Sequence, residues 1–534
     1  MFRARILVAG VLAAGVLAGC SQGQQIAATD GPSGDPQKGG TVVYSDVMFV
    51  TDALSGFYST GNLLLQVVDR LVYVDPSNGA ITPWLAEEFS RNDNATQYTF
   101  KIRDGVTFSD GTPLTAEVVK ANLDQVGKGD QEKKIPAFTD FVGYDRSEVA
   151  GNTVTVFLSK PNANFYRALA GHRAGIRGLS TLALNYENQA KIENVVGSGA
   201  FVYESQVPDQ KIVLKRRDGY AWPPAVSPNK GAAYLDKLEI RAIGEPGLRA
   251  GAVQSKQVDV ARGIQPTDEA GLTAAGKQVV PVTAPLLTSN IAAVRIGNEE
   301  VSDVRVRKAL QLGIDRQALV DTVLSDNYQA ADSVLNHDDP AFTDLSKEIA
   351  YDPDEARRLL DEAGWKVGSD GIREKDGKKL ALSLSASVQS VVMRPAVEFL
   401  ESQWRELGIS LVNLAGDTTA YNIAISDPTK PLLGTRTGYN NGLSLLFGRD
   451  KNTMTFVPDN DLIALSTDEL SSTDAAKQKE VLGQVQEQIV DKHLALVLWD
   501  EVQVHAASQD LHIDFDTLTE PLFQSAWKAS QVSG

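Results

Sequence analysis

A chain of 534 residues is longer than one hydrophobic core supports, so two or three domains are expected. Hydrophobic residues make up 43% and charged residues 22%, a globular composition that excludes disorder as the main state. The 51 Lys and Arg against 68 Asp and Glu leave a net charge of −17, which repels phosphate backbones and argues against nucleic-acid binding, while one cysteine and five histidines exclude a disulfide framework and leave little for metal chemistry.

The first 19 residues read as a signal peptide: Arg3 and Arg5 form a basic start, and Ile6 to Leu17 form an uncharged apolar stretch of 12 residues. A bilayer-spanning helix needs roughly 20 apolar residues, so this stretch is short for a permanent anchor. Leu17-Ala18-Gly19-Cys20 resembles a bacterial lipobox, which implies acylation of Cys20. Residues 20–40 are rich in Gly, Ser, Gln, Asp and Pro and read as a flexible, lipid-anchored tether; its reach is roughly 25 Å.

Thr41-Val42-Val43-Tyr44 opens the folded part as a strand, and Gly61 to Val74 carries apolar residues at helical spacing. Tyr98 to Phe108 alternates apolar and polar faces between Asp-Gly turns, and Thr115 can cap a helix over Ala116 to Gln125. Asn152 to Leu158 reads as a strand, and Phe201 to Tyr203 with Lys211 to Lys215 as a hairpin. Val301 to Leu324 reads as helical. Asp352-Pro353 places a cap before a proline at the first helical position, and Gly364 ends that helix. Val391 to Leu407 and Asp474 to Val490 are further helices, and Leu494 to Val504 is an apolar strand returning toward the first domain.

Motifs for chemistry fail on their context. Ser227-Pro228-Asn229-Lys230 matches Ser-x-x-Lys, but its companion motifs are absent and Pro228 opposes the required helix. Gly197-Ser198-Gly199 is half of a dinucleotide fingerprint, yet Val202 occupies the last glycine position and a strand follows. The histidines, His172, His337, His493, His505 and His512, form no ligand spacing, and the acidic pairs Asp338-Asp339 and Glu299-Glu300 read as solvated surface.

Four segments together resemble the family 5 extracytoplasmic solute-binding proteins, the binding components of peptide, dipeptide and nickel ABC importers. They are Pro83 to Phe89 with Tyr98 to Val119; Val196-Gly197-Ser198-Gly199-Ala200-Phe201 with Leu214 to Trp222; Asp303 to Leu310 with Ile314-Asp315-Arg316; and Tyr351-Asp352-Pro353 to Trp365. The resemblance implies an α/β, periplasmic-binding-protein type II-like fold: a large two-lobed, three-domain clam-shell with mixed sheets and a two-strand hinge. Domain I would comprise 38–75, 190–285 and 500–534, an inserted domain II 76–189, and domain III 286–499. The hinge crossings would fall near Pro285–Ile291 and Leu496–Asp500. The implied function is non-enzymatic: an extracytoplasmic, monomeric lipoprotein anchored to the bacterial cell membrane, without cofactor or metal, delivering an oligopeptide or similar polar solute to the ABC permease subunits. An opine, an oligosaccharide or a metal chelate is the alternative cargo, and a secreted hydrolase the remote one.

By the same resemblance Ser45, Asp46, Val47, Met48 and Phe49 line the cleft. So does the glycine-bearing loop of Thr435, Arg436, Tyr439, Asn440 and Asn441, whose side chains suit a carboxylate-bearing ligand. Dipeptide binders grip the peptide carboxylate and ammonium with a helix arginine and a loop aspartate. Arg394 falls at the first position, and Asn440–Asn441 replaces the second, which removes the negative charge an ammonium prefers. No histidine falls in these segments, so a nickel site is disfavoured.

Overall fold

The computed structural model describes residues 28–47, 58–138, 140–285, 287–387, 390–438 and 443–529. The signal peptide with Cys20, and Met48, Phe49, Tyr439, Asn440 and Asn441, lie outside the described residues.

Two lobes are built on separate sheets. The first lobe holds a seven-stranded sheet in the order Gln278–Thr283, Val502–Ala507, Val260–Arg262, Thr41–Asp46, Lys237–Ala242, Lys211–Arg216, Phe201–Val207. Its two parallel pairings both involve the Thr41–Asp46 strand, with Lys237–Ala242 and Val260–Arg262, and the other pairings are antiparallel. An antiparallel four-stranded sheet, Ala86–Arg91, Gln97–Ile102, Thr153–Leu158 and Tyr144–Ala150, packs into the same core through Tyr98, Phe100, Ile102, Val154 and Val156. The alternation over 98–102 puts those apolar side chains on one face, as a half-buried strand requires. The second lobe holds a five-stranded sheet in the order Ser410–Gly416, Ala381–Ser387, Leu432–Thr435, Asn290–Val294, Ala495–Trp499, with helices against it.

The chain passes between the lobes through two neighbouring segments. Gln278–Thr283 leads to Asn290–Val294, and Ala495–Trp499 leads to Val502–Ala507; the two strands are paired antiparallel on both sides of the passage. The second passage is therefore Asp500–Glu501, later than the Leu496–Asp500 expectation, because residues 495–499 are still held in the ladder of the second lobe. One apolar cluster runs past the hinge, from Val253, Ile264 and Leu272 to Ala292, Leu310 and Leu496.

Several helices follow their caps. Thr115 and Asp352 accept from the amides of Val118 and Glu355 at the starts of Ala116–Lys128 and Pro353–Glu362. The helical reading of 301–324 breaks into Glu299–Ser302, Val304–Leu312 and Arg316–Val323, because Asp303 and Asp315 each cap a new start and Gly313 ends the middle piece. The tether read over 20–40 is shorter than expected. Thr29 is buried and bonded in both directions to Leu511 and Ile513, at 2.8–3.0 Å, and the Gly39 amide donates to the Tyr234 carbonyl at 2.8 Å.

The helix read over 61–74 ends at Val67, and Val72–Val74 is a strand. The reason lies in the glycine motif. The Gly199 amide donates to the terminal Val67 carbonyl at 3.0 Å, one of the acceptors a helix end leaves open. A Cβ on Gly199 would sit 2.5 Å from the Val67 carbonyl carbon and 2.6 Å from the Gln66 oxygen, and one on Gly197 only 1.8 Å from the Val67 oxygen. The glycines thus serve backbone contact. Trp222 completes the junction by donating to Asp69 at 2.9 Å and to the Ser198 carbonyl at 3.1 Å, and burial raises the Asp69 carboxyl to about 6 despite these bonds. We expect Gly199→Ala to lower stability by about 3 kcal/mol through overpacking, whereas Gly219→Ala, with no heavy atom within 4 Å of the added carbon, stays within about 0.5 kcal/mol. Equal urea midpoints for the two variants would contradict this account.

Candidate functional site: a cavity at the hinge

A cavity of about 340 Å³ opens where the lobes meet. The Leu432–Thr435 strand and the turn after it supply Leu433, Gly434, Thr435, Arg436 and Thr437. Ser387, Ser390 and Met393 come from the end of one strand and the start of the helix Met393–Glu406, Tyr421 and Ile425 from the helix Thr418–Ser426, and Met454 from a later loop. Arg173 enters from the first lobe, on the short turn His172–Ala174. It lies 3.1 Å from the Asp140 carboxylate. The lining is apolar along Met393, Ile425, Leu433 and Met454 and cationic at two corners, Arg173 and Arg436.

The hinge forms part of the wall. Asn290, the first residue of the crossing strand, lines the cavity and donates to Glu501 at 2.8 Å. Arg436 forms an ion pair with the same carboxylate. Glu501 is fully buried, which raises its pKa, and Arg436 opposes that rise. Its amide is held by Asn336 at 3.0 Å, and Asn336 donates to the Ala284 carbonyl on the other passage at 2.8 Å. The cavity wall and both passages therefore share one hydrogen-bonded group.

The sequence-derived site residues divide. Thr435 and Arg436 line the cavity. Ser45 and Asp46 are buried in the central strand of the first lobe. Asp46 accepts from the Tyr44 hydroxyl at 3.1 Å, from Asn62 at 2.8 Å and from the Val47 amide at 2.7 Å, so its carboxylate is committed to the fold. Val47 lies near a contact between the lobes: a Cβ on Gly263 would lie 3.4 Å from Val47 and 3.6 Å from Val391 of the other lobe. Arg394 is exposed and donates to the Ala415 carbonyl at 2.8 Å. Its neighbour Met393 takes the cavity face, since adjacent helical residues point about 100° apart. Arg173, Asn290, Tyr421 and Met454 were not singled out by sequence, because none lies in a motif or periodic pattern that signals a cleft. A second cavity, about 270 Å³, lies inside the first lobe among Tyr73, Trp84, Tyr220 and Phe523 and has no lining residue from the second lobe.

Two lobes joined by paired crossing strands, with a cavity at the joint, define the class: a periplasmic-binding-protein type II clam-shell. The model of the bacterial extracellular solute-binding proteins, family 5 Middle, matches residues 80–442, and the chain belongs to that family. It is 24% identical to the nickel-binding periplasmic protein of Escherichia coli K12 over 348 residues, 64% of each chain. It thus spans a little under two thirds of that relative's length. Among solved structures, the oligopeptide-binding protein AppA of Bacillus subtilis in complex with a nonapeptide has the same fold, with TM-score 0.78, 21% identity and coverage of 93% of this chain and 100% of that one. The binding protein AgaA of A. tumefaciens R10 in complex with agropinic acid gives TM-score 0.75 at 20% identity, covering 91% and 96%.

The other passage residue, Asp500, carries a titratable partner. His337 Nδ1 lies 2.7 Å from the Asp500 carboxylate and Nε2 lies 3.1 Å from Asp332, with the ring stacked on Phe342. The hydrogen bond to Asp500 is the largest cause raising the imidazole from 6.5 to about 9. Because the folded value is above the unfolded one, the stabilisation is fully present below pH 6.5 and is lost as pH rises through about 9. Urea midpoints of the wild type should fall across that window, and those of His337→Gln should lack this component; parallel profiles would refute the role.

Proposed function

We propose that this chain is the substrate-binding lipoprotein of an ABC importer, not an enzyme, and that it captures a short peptide or similar polar solute in the cleft for delivery to the permease. The observation that carries the reading is the cavity at the hinge, whose wall shares Asn290 and Arg436 with a passage residue, Glu501. A ligand seated there touches the element about which the lobes move, so its binding energy can select the closed state. The cationic corners suit a carboxylate, and the methionines offer adaptable apolar contact for side chains. The cavity is at the small end of ligand pockets, which run from about 300 to 1,000 Å³. That size supports a second reading with a compact solute, an opine, oligosaccharide or metal chelate, in place of a long peptide. The domain boundaries proposed with this reading are 38–75, 190–285 and 500–534 for domain I, 76–189 for domain II and 286–499 for domain III.

Of the described candidates Ser45, Asp46, Val47, Arg394, Thr435 and Arg436, we place Thr435 and Arg436 first as ligand contacts, since these two line the cavity, and Met48, Phe49, Tyr439, Asn440 and Asn441 stay candidates beside them. The proposed membrane anchoring in the cell envelope rests on Cys20 as the acylated first residue of a monomeric mature protein.

Protein freed of co-purified solute is expected to melt at higher temperature with its cargo, by the stabilisation RT ln(1 + [L]/Kd), about 2.7 kcal/mol at a hundredfold excess over Kd. A panel of short peptides, opines, oligosaccharides and chelates, read by thermal shift and native mass spectrometry, identifies the class. No response to any member would count against the transport reading. Separately, Cys20→Ser is expected to move the protein from the membrane fraction to the soluble fraction of its host; unchanged fractionation would remove the anchor.

A further inference from the structure

The cavity of about 270 Å³ inside the first lobe has no part in the transport reading. Among the described residues, all of its lining side chains belong to the first lobe, so none of its wall travels with the second. Four aromatic side chains line it, Tyr73, Trp84, Tyr220 and Phe523, and all four are buried. Its rim includes the loop residues Val226 and Ser227, which are half-buried, and Pro228, which is exposed.

Protein contacts fix these walls. Trp84 meets Tyr73 edge-on, with ring centroids 5.6 Å apart, and its Nε1 donates to the Trp222 carbonyl at 3.0 Å. Phe523 packs edge-on against Tyr44 at 5.4 Å. Gln524 ties the rim loop down: its side-chain carbonyl accepts from the Ser227 hydroxyl at 2.8 Å, and its Nε2 donates to the Gly231 carbonyl at 2.7 Å. Side chains held in this way do not collapse inward, so a molecule that fills the space gains dispersion contact with the walls. An apolar cavity of roughly 150 Å³ takes a benzene ring. The larger volume here has room for two fused rings.

Two buried charged side chains also line the cavity, and they offset each other. The Arg70 guanidinium lies 4.9 Å from the Trp84 ring centroid. Asp69 accepts from Trp222 through Oδ2 at 2.9 Å, while Oδ1 receives the Tyr220 hydroxyl at 3.4 Å, a long bond. A carboxylate offers about four acceptor sites, so Oδ1 can take a further donor. A charged ligand would lose its hydration here without gaining a counter-ion of its own, which favours a neutral one.

We propose that this cavity is a second solute site, for a neutral, planar two-ring molecule whose N–H or O–H donates to Asp69. The inference goes beyond the transport reading, and occupancy of this site does not require the lobes to close.

The test uses the full-length protein and indole, a neutral two-ring probe with one N–H, titrated by calorimetry. The wild type is expected to bind with a Kd of about 1 mM or below. Val226→Trp, which places a larger side chain at the rim, is expected to bind at least about tenfold more weakly. Benzofuran, which has the same rings with oxygen in place of the N–H, is expected to bind the wild type about fivefold more weakly, the loss of one hydrogen bond. Absence of indole binding would overturn the site. Equal binding by the wild type and Val226→Trp would overturn its location, and equal binding of the two probes would overturn the role of Asp69. If Val226→Trp does not fold, hydrogen exchange in the wild type decides the location. The Leu85 amide donates to the Arg70 carbonyl behind the cavity wall at 3.1 Å. Slower exchange there with indole supports the site, and unchanged exchange overturns it.

Discussion

Passage between the lobes through two adjacent strands, each paired with the other on both sides of the joint, is the constraint on which the molecule depends. Ladder pairing keeps Gln278–Thr283 beside Val502–Ala507 and Asn290–Val294 beside Ala495–Trp499, so the links between the two ladders are residues 284–289 and 500–501. Both residues of the second passage are acidic and buried: Asp500 is held by His337, Ser289 and Gln329, and Glu501 by Asn290 and Arg436. A buried carboxylate is expensive unless its hydrogen-bond and charge partners are in place. The position of the hinge is thus tied to the same side chains that shape the cavity.

That sharing gives the two cavity arginines different roles. Arg436 is committed to the hinge through Glu501, whereas Arg173 belongs to the first lobe and reaches a cavity made mainly by the second. Away from the passages the lobes also touch directly: the Ala163 amide donates to the Leu470 carbonyl at 2.7 Å, and Arg91 donates to the Thr473 carbonyl at 2.9 Å.

The segments that resemble the family carry the architecture. Gly197 and Gly199 let the backbone approach the helix end at Val67, Trp84 donates to the Trp222 carbonyl, and Asp303, Asp315 and Asp352 start helices. None of these residues lines the hinge cavity. This accounts for a family that keeps its fold at low identity while its members' structures contain ligands as unlike as a nonapeptide and agropinic acid.

The class of fold came with the resemblance to a family; read by itself, the sequence determined most strands and helices and the helix caps at Thr115 and Asp352. Those features depend on side chains within about ten residues of one another, and local hydrogen bonding and apolar periodicity express them directly. Thr435 and Arg436, which the resemblance implies as cleft residues, line the hinge cavity. Only the tertiary structure decided that Met393 rather than Arg394 faces the cavity, that Asp46 is consumed by Tyr44 and Asn62, and that Arg173, Asn290 and Met454 meet. Those residues lie on separate elements of two lobes. Their meeting is set by how the sheets join at residues 284–289 and 500–501, a long-range geometry that no local pattern of residues encodes.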